Sequence, residues 1–146
     1  MDTNIYAKLR AGVSTGTAGE TQALAADLAK ALPADVTLAL HGDLGVGKTT
    51  FVQGLARGFQ IAEAITSPTF NLYSLHRGPA RLLVHLDAYR IENPRQVEDL
   101  LLEDFLSSPW CLAIEWPEKI EAWLPANTLH LTLGISPDQN HTLKLS

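Results

Sequence analysis

The spacing of apolar residues divides the first third of the chain into a helix and a strand. Between Thr17 and Leu32, apolar residues recur at the 3.6-residue period of an amphipathic helix. Thr17 and, three residues later, Glu20 form a capping box at its start, and Pro33 ends it. The run from Val36 to Leu40 is almost entirely apolar, a pattern typical of a strand buried on both faces of a parallel sheet.

After this strand the pattern predicts one more helix and then a hairpin. Helical spacing of apolar residues resumes from Phe51 to Phe59, behind Lys48. Two extended runs follow, Thr69 to Leu75 and Arg81 to Asp87, with the turn-like segment His76 to Pro79 between them. We predict that these two runs pair as a β-hairpin.

The last third of the chain predicts a further helix, a second apolar strand and a closing hairpin. Asn93 has the side chain of an N-cap, and Pro94 suits the first position of a helix. The predicted elements are a helix from Asn93 to about Ser107, a strand from Trp110 to Trp116, one or two helical turns from Pro117 to Trp123, and a hairpin of Thr128 to Ile135 with Thr142 to Leu145.

A phosphate-binding sequence lies between the first predicted strand and the helix behind it. Gly42, Gly47, Lys48 and Thr49 match the P-loop pattern G-x-x-x-x-G-K-T. In this pattern backbone N–H groups and the helix N-terminus favour the negative charge of a nucleotide's phosphates, the lysine contacts the β- and γ-phosphates, and the threonine binds Mg²⁺. The residues predicted to bind the nucleotide are Gly42, Asp43, Leu44, Gly45, Val46, Gly47, Lys48, Thr49 and Thr50.

Two carboxylates, Asp87 and Glu115, end apolar strands and are candidates for the same site. Magnesium at a P-loop takes a carboxylate from a neighbouring strand end, directly or through water, and a second acid can orient or deprotonate the attacking water. The residues alone do not divide these roles, and either acid can instead cap a helix or pair with Arg90. His85 shares a strand face with Asp87, and we expect a hydrogen-bonded wall residue there and not a metal ligand.

Two further segments have a structural and a functional interpretation. The segment Thr66-Ser67-Pro68-Thr69 is rich in hydroxyl groups and follows the P-loop helix, where many P-loop hydrolases have a loop that senses the γ-phosphate. It is equally well explained as a turn set by Pro68. Trp116, directly after Glu115, is either a core residue or a wall of the site.

A strand, a P-loop, a helix and further strands with acidic ends predict an α/β fold. We expect a P-loop NTPase-like mixed β-sheet flanked by helices, because two hairpins require antiparallel pairs within an otherwise parallel sheet. The chain has 146 residues and shows no internal linker, so we expect a single domain, residues 1–146, with the ligand at the carboxyl ends of the strands.

Composition and charge limit the partners of this domain. The formal net charge is -5, which argues against direct, tight binding to nucleic acid, since Lys and Arg contacts to phosphates supply most of that affinity. The one cysteine, Cys111, lies in an apolar run, so a disulfide framework is excluded and a buried thiol is expected. There is no signal-peptide pattern and no apolar run of about 18 residues, so we expect a cytoplasmic protein with no membrane contact.

Four blocks in order resemble the bacterial TsaE family and cover nearly the whole chain from about Thr17. The four blocks together identify this family far more specifically than the P-loop does alone. The sequence departs from the family pattern in one small respect, since position 70 is a phenylalanine where relatives often have tyrosine. The blocks are Gly42 to Thr50, Ser67-Pro68-Thr69-Phe70, His85-Leu86-Asp87-Ala88-Tyr89-Arg90 and Ile114-Glu115-Trp116-Pro117-Glu118.

The resemblance implies a small ATPase that is needed for the threonylcarbamoyladenosine modification of tRNA and acts with the TsaB–TsaD pair. It further implies that Thr49 and Glu115 ligate Mg²⁺, that Asp87 serves the hydrolytic step, and that the segment from Glu20 to Gln22 lies near the adenine. Lys48 would neutralise phosphate charge. ATP and Mg²⁺ are therefore the expected cofactors, and tRNA is expected to be an indirect partner only.

Three other functions are compatible with a P-loop. A small-molecule kinase of this size needs an arginine-bearing lid over the phosphates, and the arginines of this chain are scattered. A GTPase needs an Asn/Thr-Lys-x-Asp element to read guanine, which the sequence lacks. The third alternative is a nucleotide-dependent scaffold that binds ATP and barely hydrolyses it.

Overall fold

The computed structural model describes residues 3–43, 45–66 and 72–146 and contains alternating helices and strands. Its elements are α1 (Thr3–Ala11), β1 (Val13–Thr15), α2 (Ala18–Ala31), β2 (Val36–His41), α3 (Lys48–Gly58), β3 (Tyr73–Arg77), β4 (Leu82–Asp87), α4 (Arg95–Glu98), a 3-10 helix (Leu102–Asp104), β5 (Trp110–Glu115), a second 3-10 helix (Pro117–Trp123), β6 (Leu129–Ile135) and β7 (His141–Leu145).

The strands form one seven-stranded mixed sheet in the order β1-β7-β6-β2-β5-β4-β3. Strand β2 is central and pairs in parallel with β5 and β6, and β4 is parallel to β5. The outer pairs β3–β4, β6–β7 and β1–β7 are antiparallel. The predicted α/β fold and both predicted hairpins are therefore confirmed, and the carboxyl ends of β2, β4 and β5 lie at one edge of the sheet.

Apolar side chains cover both faces of the sheet. On one face α1, α2 and α3 contribute residues such as Leu9, Leu28 and Phe51 to the larger core. On the other face residues such as Val84 and Ile114 pack against the segment that contains α4 and the 3-10 helices. Because successive strand residues alternate between faces, β4 and β5 contribute side chains to both cores.

Helix α2 begins as the sequence predicts, with a small shift in its capping contacts. Thr17 is the N-cap, and its hydroxyl accepts a hydrogen bond from the Glu20 N–H at 3.1 Å. The Glu20 carboxylate reaches back to the N–H of Gly16 at 2.6 Å, one residue before the cap. Both contacts satisfy backbone donors that the helix itself leaves without partners.

The single predicted helix from Asn93 to Ser107 is wrong. Asn93 Oδ1 accepts from the Arg95 N–H at 2.9 Å, but Pro94, and not Asn93 as predicted, is the N-cap, and α4 ends at Glu98. Leu101 has a φ of 53° and reverses the chain before the short 3-10 helix. Val97 and Leu102 are both buried, and five residues of continuous helix would turn them to different sides.

Two further elements and two strand boundaries also differ from the sequence-based prediction. Elements α1 and β1 were not predicted, because α1 buries only Ile5 and Leu9, too few apolar residues for a clear period, and β1 has three residues. Strand β3 continues to Arg77, so the hairpin turn begins later than predicted. Strand β5 ends at Glu115 and not at the next residue. The predicted first residues of β3, from Thr69, lie outside the described residues.

The buried thiol of Cys111 is confirmed, and burial raises its pKa to about 12. A thiol with this pKa is almost entirely protonated at neutral pH and is a poor nucleophile. Among residues 3–43, 45–66 and 72–146, no helix has the length and apolar character needed to cross a membrane.

Candidate nucleotide site

The loop between β2 and α3 contains three glycines with positive φ. Gly42, Gly45 and Gly47 have φ values of 146°, 86° and 96°, which side chains other than glycine rarely adopt. A Cβ on Gly42 would also lie 2.6 Å from the Leu133 carbonyl oxygen on β6. The loop therefore needs glycine at the first position both for its φ and for its contact with the sheet. Leu44 lies outside the described residues.

Lys48, the first residue of α3, lies under the loop with 5% of its surface exposed. Its ammonium group donates a hydrogen bond to the Gly42 carbonyl oxygen at 2.6 Å and lies 3.5 Å from the centre of the Trp116 ring. Burial lowers the pKa of Lys48 from its ordinary value of 10.5, and nearby carboxylates, Glu115 foremost, oppose this shift. These contacts place one cation at the mouth of the loop.

The turn after β5 brings Trp116 over this lysine. Trp116 has a φ of 59°, a left-handed conformation that is uncommon for a tryptophan. Tyr89, which is 54% exposed, packs on the Trp116 ring at a centroid distance of 5.0 Å. Trp116 lines the cleft and also packs against the second core, so its two predicted interpretations both hold.

Thr49 and Glu115 meet across the gap between α3 and β5. The Thr49 hydroxyl donates a hydrogen bond to Oε2 of Glu115 at 3.1 Å. The same oxygen lies 2.5 Å from Nε2 of His85, and Glu115 is 5% exposed. His85 is thus hydrogen-bonded, as predicted, and it is fully buried. A hydroxyl and a carboxylate are oxygen groups of the kind that Mg²⁺ prefers.

Asp87 ends β4 directly beside Glu115, its register partner on β5. Its Oδ1 accepts a hydrogen bond from the Tyr89 N–H at 3.0 Å, and the side chain is half-buried. Arg90 is exposed. The sheet therefore brings both predicted carboxylates to the P-loop, although they are separated by 28 positions in the chain.

These residues surround a cleft of about 400 Å³, a volume within the range of small-molecule sites. Its lining combines one cation, two carboxylates, hydroxyl groups and aromatic rings. The lining residues are Gly45, Gly47, Lys48, Thr49, Thr50, Asp87, Tyr89, Glu115 and Trp116.

A family model described as threonylcarbamoyl adenosine biosynthesis protein TsaE matches residues 15–143. This chain belongs to the TsaE family. The resemblance predicted from the four sequence blocks is therefore confirmed, and the family functions in the threonylcarbamoyladenosine modification of tRNA.

Individual TsaE relatives match over most of the chain. A tRNA threonylcarbamoyladenosine biosynthesis protein TsaE from Bacillus subtilis is 37% identical over 85% of this chain and 77% of its own length. One from Rickettsia bellii is 34% identical over 87% of this chain and 88% of its own. The crystal structure of Bacillus subtilis YdiB has a TM-score of 0.74 and 30% identity, and the match covers 90% of this chain and 81% of that one.

The residues that the TsaE resemblance places near adenine lie outside the lining of the cleft. Glu20 is engaged at Gly16, as described above. Gln22 donates to the Gln53 side chain at 3.0 Å and lines a separate cavity of about 570 Å³, formed mainly by α3 and residues 60–65. An adenine contact from Glu20 or Gln22 stays a prediction.

The other predicted loop residues have structural contacts. Asp43 is exposed, and its carbonyl oxygen accepts a bond from the Val46 N–H at 3.4 Å. Val46 is buried. Thr66 is exposed, and the rest of the predicted γ-phosphate segment, 67–69, lies outside the described residues.

Sequence reasoning missed two histidine contacts at this end of the sheet. His141 Nδ1 on β7 lies 3.1 Å from the Val46 carbonyl oxygen and so braces the P-loop from the C-terminal hairpin. His41 Nε2 lies 2.8 Å from His130 Nδ1 on β6. No local pattern marks these residues, because each contact joins residues that are 89 or more positions apart in the chain.

Proposed function

We propose that this TsaE-family protein is a Mg²⁺-dependent ATP hydrolase that acts with the TsaB–TsaD pair in threonylcarbamoyladenosine formation on tRNA. The observation that carries the proposal is the convergence of four groups at one edge of the sheet. Lys48 and Thr49 come from α3, Asp87 from β4 and Glu115 from β5, and all four line one cleft. A cation, a hydroxyl and two carboxylates at a P-loop are the groups that nucleotide hydrolysis requires.

Thr49 and Glu115 fit a magnesium ion that the nucleotide helps to hold. In residues 3–43, 45–66 and 72–146, no group of three or more His, Cys, Asp or Glu side chains is arranged to hold a metal by itself. Magnesium at such sites takes one or two protein oxygens, and phosphate oxygens and water complete its shell. When bound, the ion would neutralise charge on the phosphates.

Lys48 would bind the phosphates by giving up its present hydrogen-bond acceptor, a carbonyl oxygen, for a phosphate oxygen. Its ammonium group now donates to the Gly42 carbonyl oxygen, which belongs to the loop that would surround the phosphates. Phosphate oxygens carry more negative charge than a carbonyl, so the ammonium group would donate to them in preference. The Trp116 ring shields the lysine from water and strengthens its interaction with a bound anion.

Asp87 would orient the attacking water. It lies beside Glu115 in the sheet and is half-buried, so a water next to the γ-phosphate would have a carboxylate acceptor. Arg90, three residues after Asp87, is a candidate for a cation of this same chain that would stabilise the transition state. Closure of a partner over the cleft would exclude solvent and supply further charge.

Three observations support the partner and the compartment. The matched relatives are proteins of tRNA threonylcarbamoyladenosine biosynthesis. The net charge of -5 favours a protein partner over direct contact with tRNA. The family functions in tRNA modification, and we therefore propose that the protein lies in the cytoplasm with the tRNA that it helps to modify.

Steady-state ATP turnover of the protein alone, with purified TsaB–TsaD, and with tRNA alone tests this proposal. We expect slow turnover alone, because the open cleft leaves the phosphates in water, and clear stimulation by the protein pair. An additional cation at the transition state is worth about 10³–10⁵ in rate in P-loop hydrolases. Stimulation by tRNA alone, with no effect of the protein pair, would contradict the activation model.

A single-turnover experiment separates hydrolysis from the alternatives. ATP labelled at the γ-phosphate is mixed with the protein, with and without a candidate acceptor. Release of inorganic phosphate in both samples supports a hydrolase. Transfer of label to the acceptor indicates a kinase, and tight binding without release indicates a scaffold.

A further inference from the structure

Both hydrogen bonds that the described residues make to the Glu115 side chain end on one oxygen. Oε2 accepts from the Thr49 hydroxyl at 3.1 Å and lies 2.5 Å from Nε2 of His85. His85 itself is fully buried. The other carboxylate oxygen, Oε1, is therefore the one left for a metal ion or for a water bound to it.

Sheet register explains why His85 reaches this oxygen. Strand β4 pairs in parallel with β5, so that His85 lies opposite Ala113 and Asp87 opposite Glu115. Residues two apart on a strand share a face, which makes His85 and Glu115 diagonal neighbours. A long side chain spans such a diagonal, and the imidazole does so here.

The protonation pattern of His85 follows from its partners. An ionised carboxylate only accepts hydrogen bonds, so Nε2 is the nitrogen that carries a proton and donates. Nδ1 is buried and has no hydrogen-bond partner within the described part of the chain. A buried polar atom without a partner is unfavourable, and such an atom in a folded protein calls for a reason.

Packing alone does not provide that reason. Leu83, two residues earlier on the same strand face, is buried in the larger core, as is Ala113, the register partner of His85. A leucine at position 85 would fill a similar space without leaving a nitrogen unpaired. The histidine adds one N–H group that donates to Oε2 of Glu115, and Glu115 is itself almost fully buried.

We propose that His85 is a positioning residue that orients the Glu115 carboxylate for a divalent cation. With Thr49 it holds Oε2 and so keeps Oε1 available to the cation or its water. This inference rests on the proposed magnesium site. It assigns His85 no contact with the metal, and its effect passes entirely through Glu115.

The test measures metal binding directly and not through turnover. Mn²⁺ serves as the probe, and its binding to the ADP-loaded protein is titrated by electron paramagnetic resonance. His85→Leu and His85→Asn remove the donor, since an asparagine amide is too short to reach Oε2. His85→Gln keeps an N–H at nearly the reach of Nε2. Loss of a group that orients a metal ligand commonly weakens metal binding by about 10–100-fold.

We expect the Leu and Asn variants to bind Mn²⁺ at least about tenfold more weakly and the Gln variant to stay close to the wild type. ADP binding in EDTA should be equal in all of them. Leu83→Val, a packing change on the same strand face that does not touch Glu115, is the matched control and should bind Mn²⁺ normally. Melting curves establish that each variant is folded, and the Asn–Gln comparison remains decisive if the Leu variant does not fold.

A Glu115→Ala background separates this inference from the proposed site. There, adding His85→Asn should change Mn²⁺ binding no further, because the effect acts through the missing carboxylate. Wild-type Mn²⁺ binding in folded His85→Asn, or equally weak binding in His85→Gln, overturns the positioning role. If Glu115→Ala itself binds Mn²⁺ normally, the magnesium site is wrong and not only the role of His85.

Discussion

Replacing Gly54 with alanine tests the contact between α2 and the helix that carries the P-loop lysine. A Cβ at Gly54 would lie 2.5 Å from the Gln22 carbonyl oxygen, 2.7 Å from Gln22 Cα and 2.6 Å from the Ala25 methyl group. One turn later, a Cβ on Gly58 would meet Ala29 at 2.6 Å. The two helices therefore approach each other along a row of very small residues, and any side chain at Gly54 must push them apart.

Two opposing effects set the size of the change. Alanine is a better helix former than glycine by about 0.8–1.0 kcal/mol. Overpacking a tight core costs about 1–3 kcal/mol, and the upper part of that range applies because two of the three close atoms belong to the α2 backbone and have no rotamer to change. We expect a net loss of about 1–2 kcal/mol, equivalent to a melting temperature lower by roughly 2–8 °C at this chain length.

Urea and thermal unfolding of Gly54→Ala, with Gly19→Ala as the matched control, measure this loss. Gly19 lies in the first turn of α2, where a Cβ would meet only the Thr17 hydroxyl, at 3.8 Å. The control should be as stable as the wild type or slightly more stable, since only the helix-propensity term operates there. If Gly54→Ala matched its control, the helices would not be in the close contact described here, and the explanation would be refuted.

Two further predictions concern the site, and a third concerns the pH dependence of stability. Lys48→Ala should abolish measurable ATP turnover, because the cation of the phosphate loop is lost, and a melting curve should show that the variant is folded. Substantial turnover would refute the P-loop role. Glu115→Gln should raise the Mg²⁺ concentration needed for turnover, whereas Asp87→Asn should bind Mg-nucleotide nearly normally and turn over slowly. A Mg²⁺ titration that shows the larger loss of affinity in Asp87→Asn would exchange the roles of the two carboxylates. Burial and the neighbouring His130 lower the pKa of His41 from 6.5, so the unfolded chain binds that proton more tightly. The free energy of unfolding should therefore decrease as the pH falls below about 6.5, and an equal slope in His41→Asn would contradict this assignment.

The elements predicted correctly are those whose signals are local in the chain. The capping pair at Thr17 and Glu20 begins α2, and the apolar run from Val36 begins the central strand. The P-loop pattern lies between that strand and α3 as expected. In each case residues that are close in the chain supply the capping hydrogen bonds or the spacing of apolar residues that defines the element. The sequence therefore indicates the element directly.

Longer-range packing decided the elements that were predicted wrongly. The apolar residues from Val97 to Leu106 fit a helical pattern, yet the chain reverses at Leu101 so that residues on both sides of the reversal reach the core. Helix α1 depends on β7, a strand at the other end of the chain. Patterns within a short window do not contain such contacts.

For the candidate site, the sequence by itself determined the groups: the glycines and Lys48 of the loop, Thr49, and carboxylates at the ends of two apolar strands. Only the tertiary structure decided their relation. The β4–β5 register sets Asp87 beside Glu115 and gives Glu115 its contact with His85. The turn at Trp116 covers Lys48 with an aromatic ring. Chemistry and local conformation are properties of adjacent residues, whereas strand register and the packing of distant segments arise only when the whole sheet forms, because they depend on contacts between residues far apart in the chain.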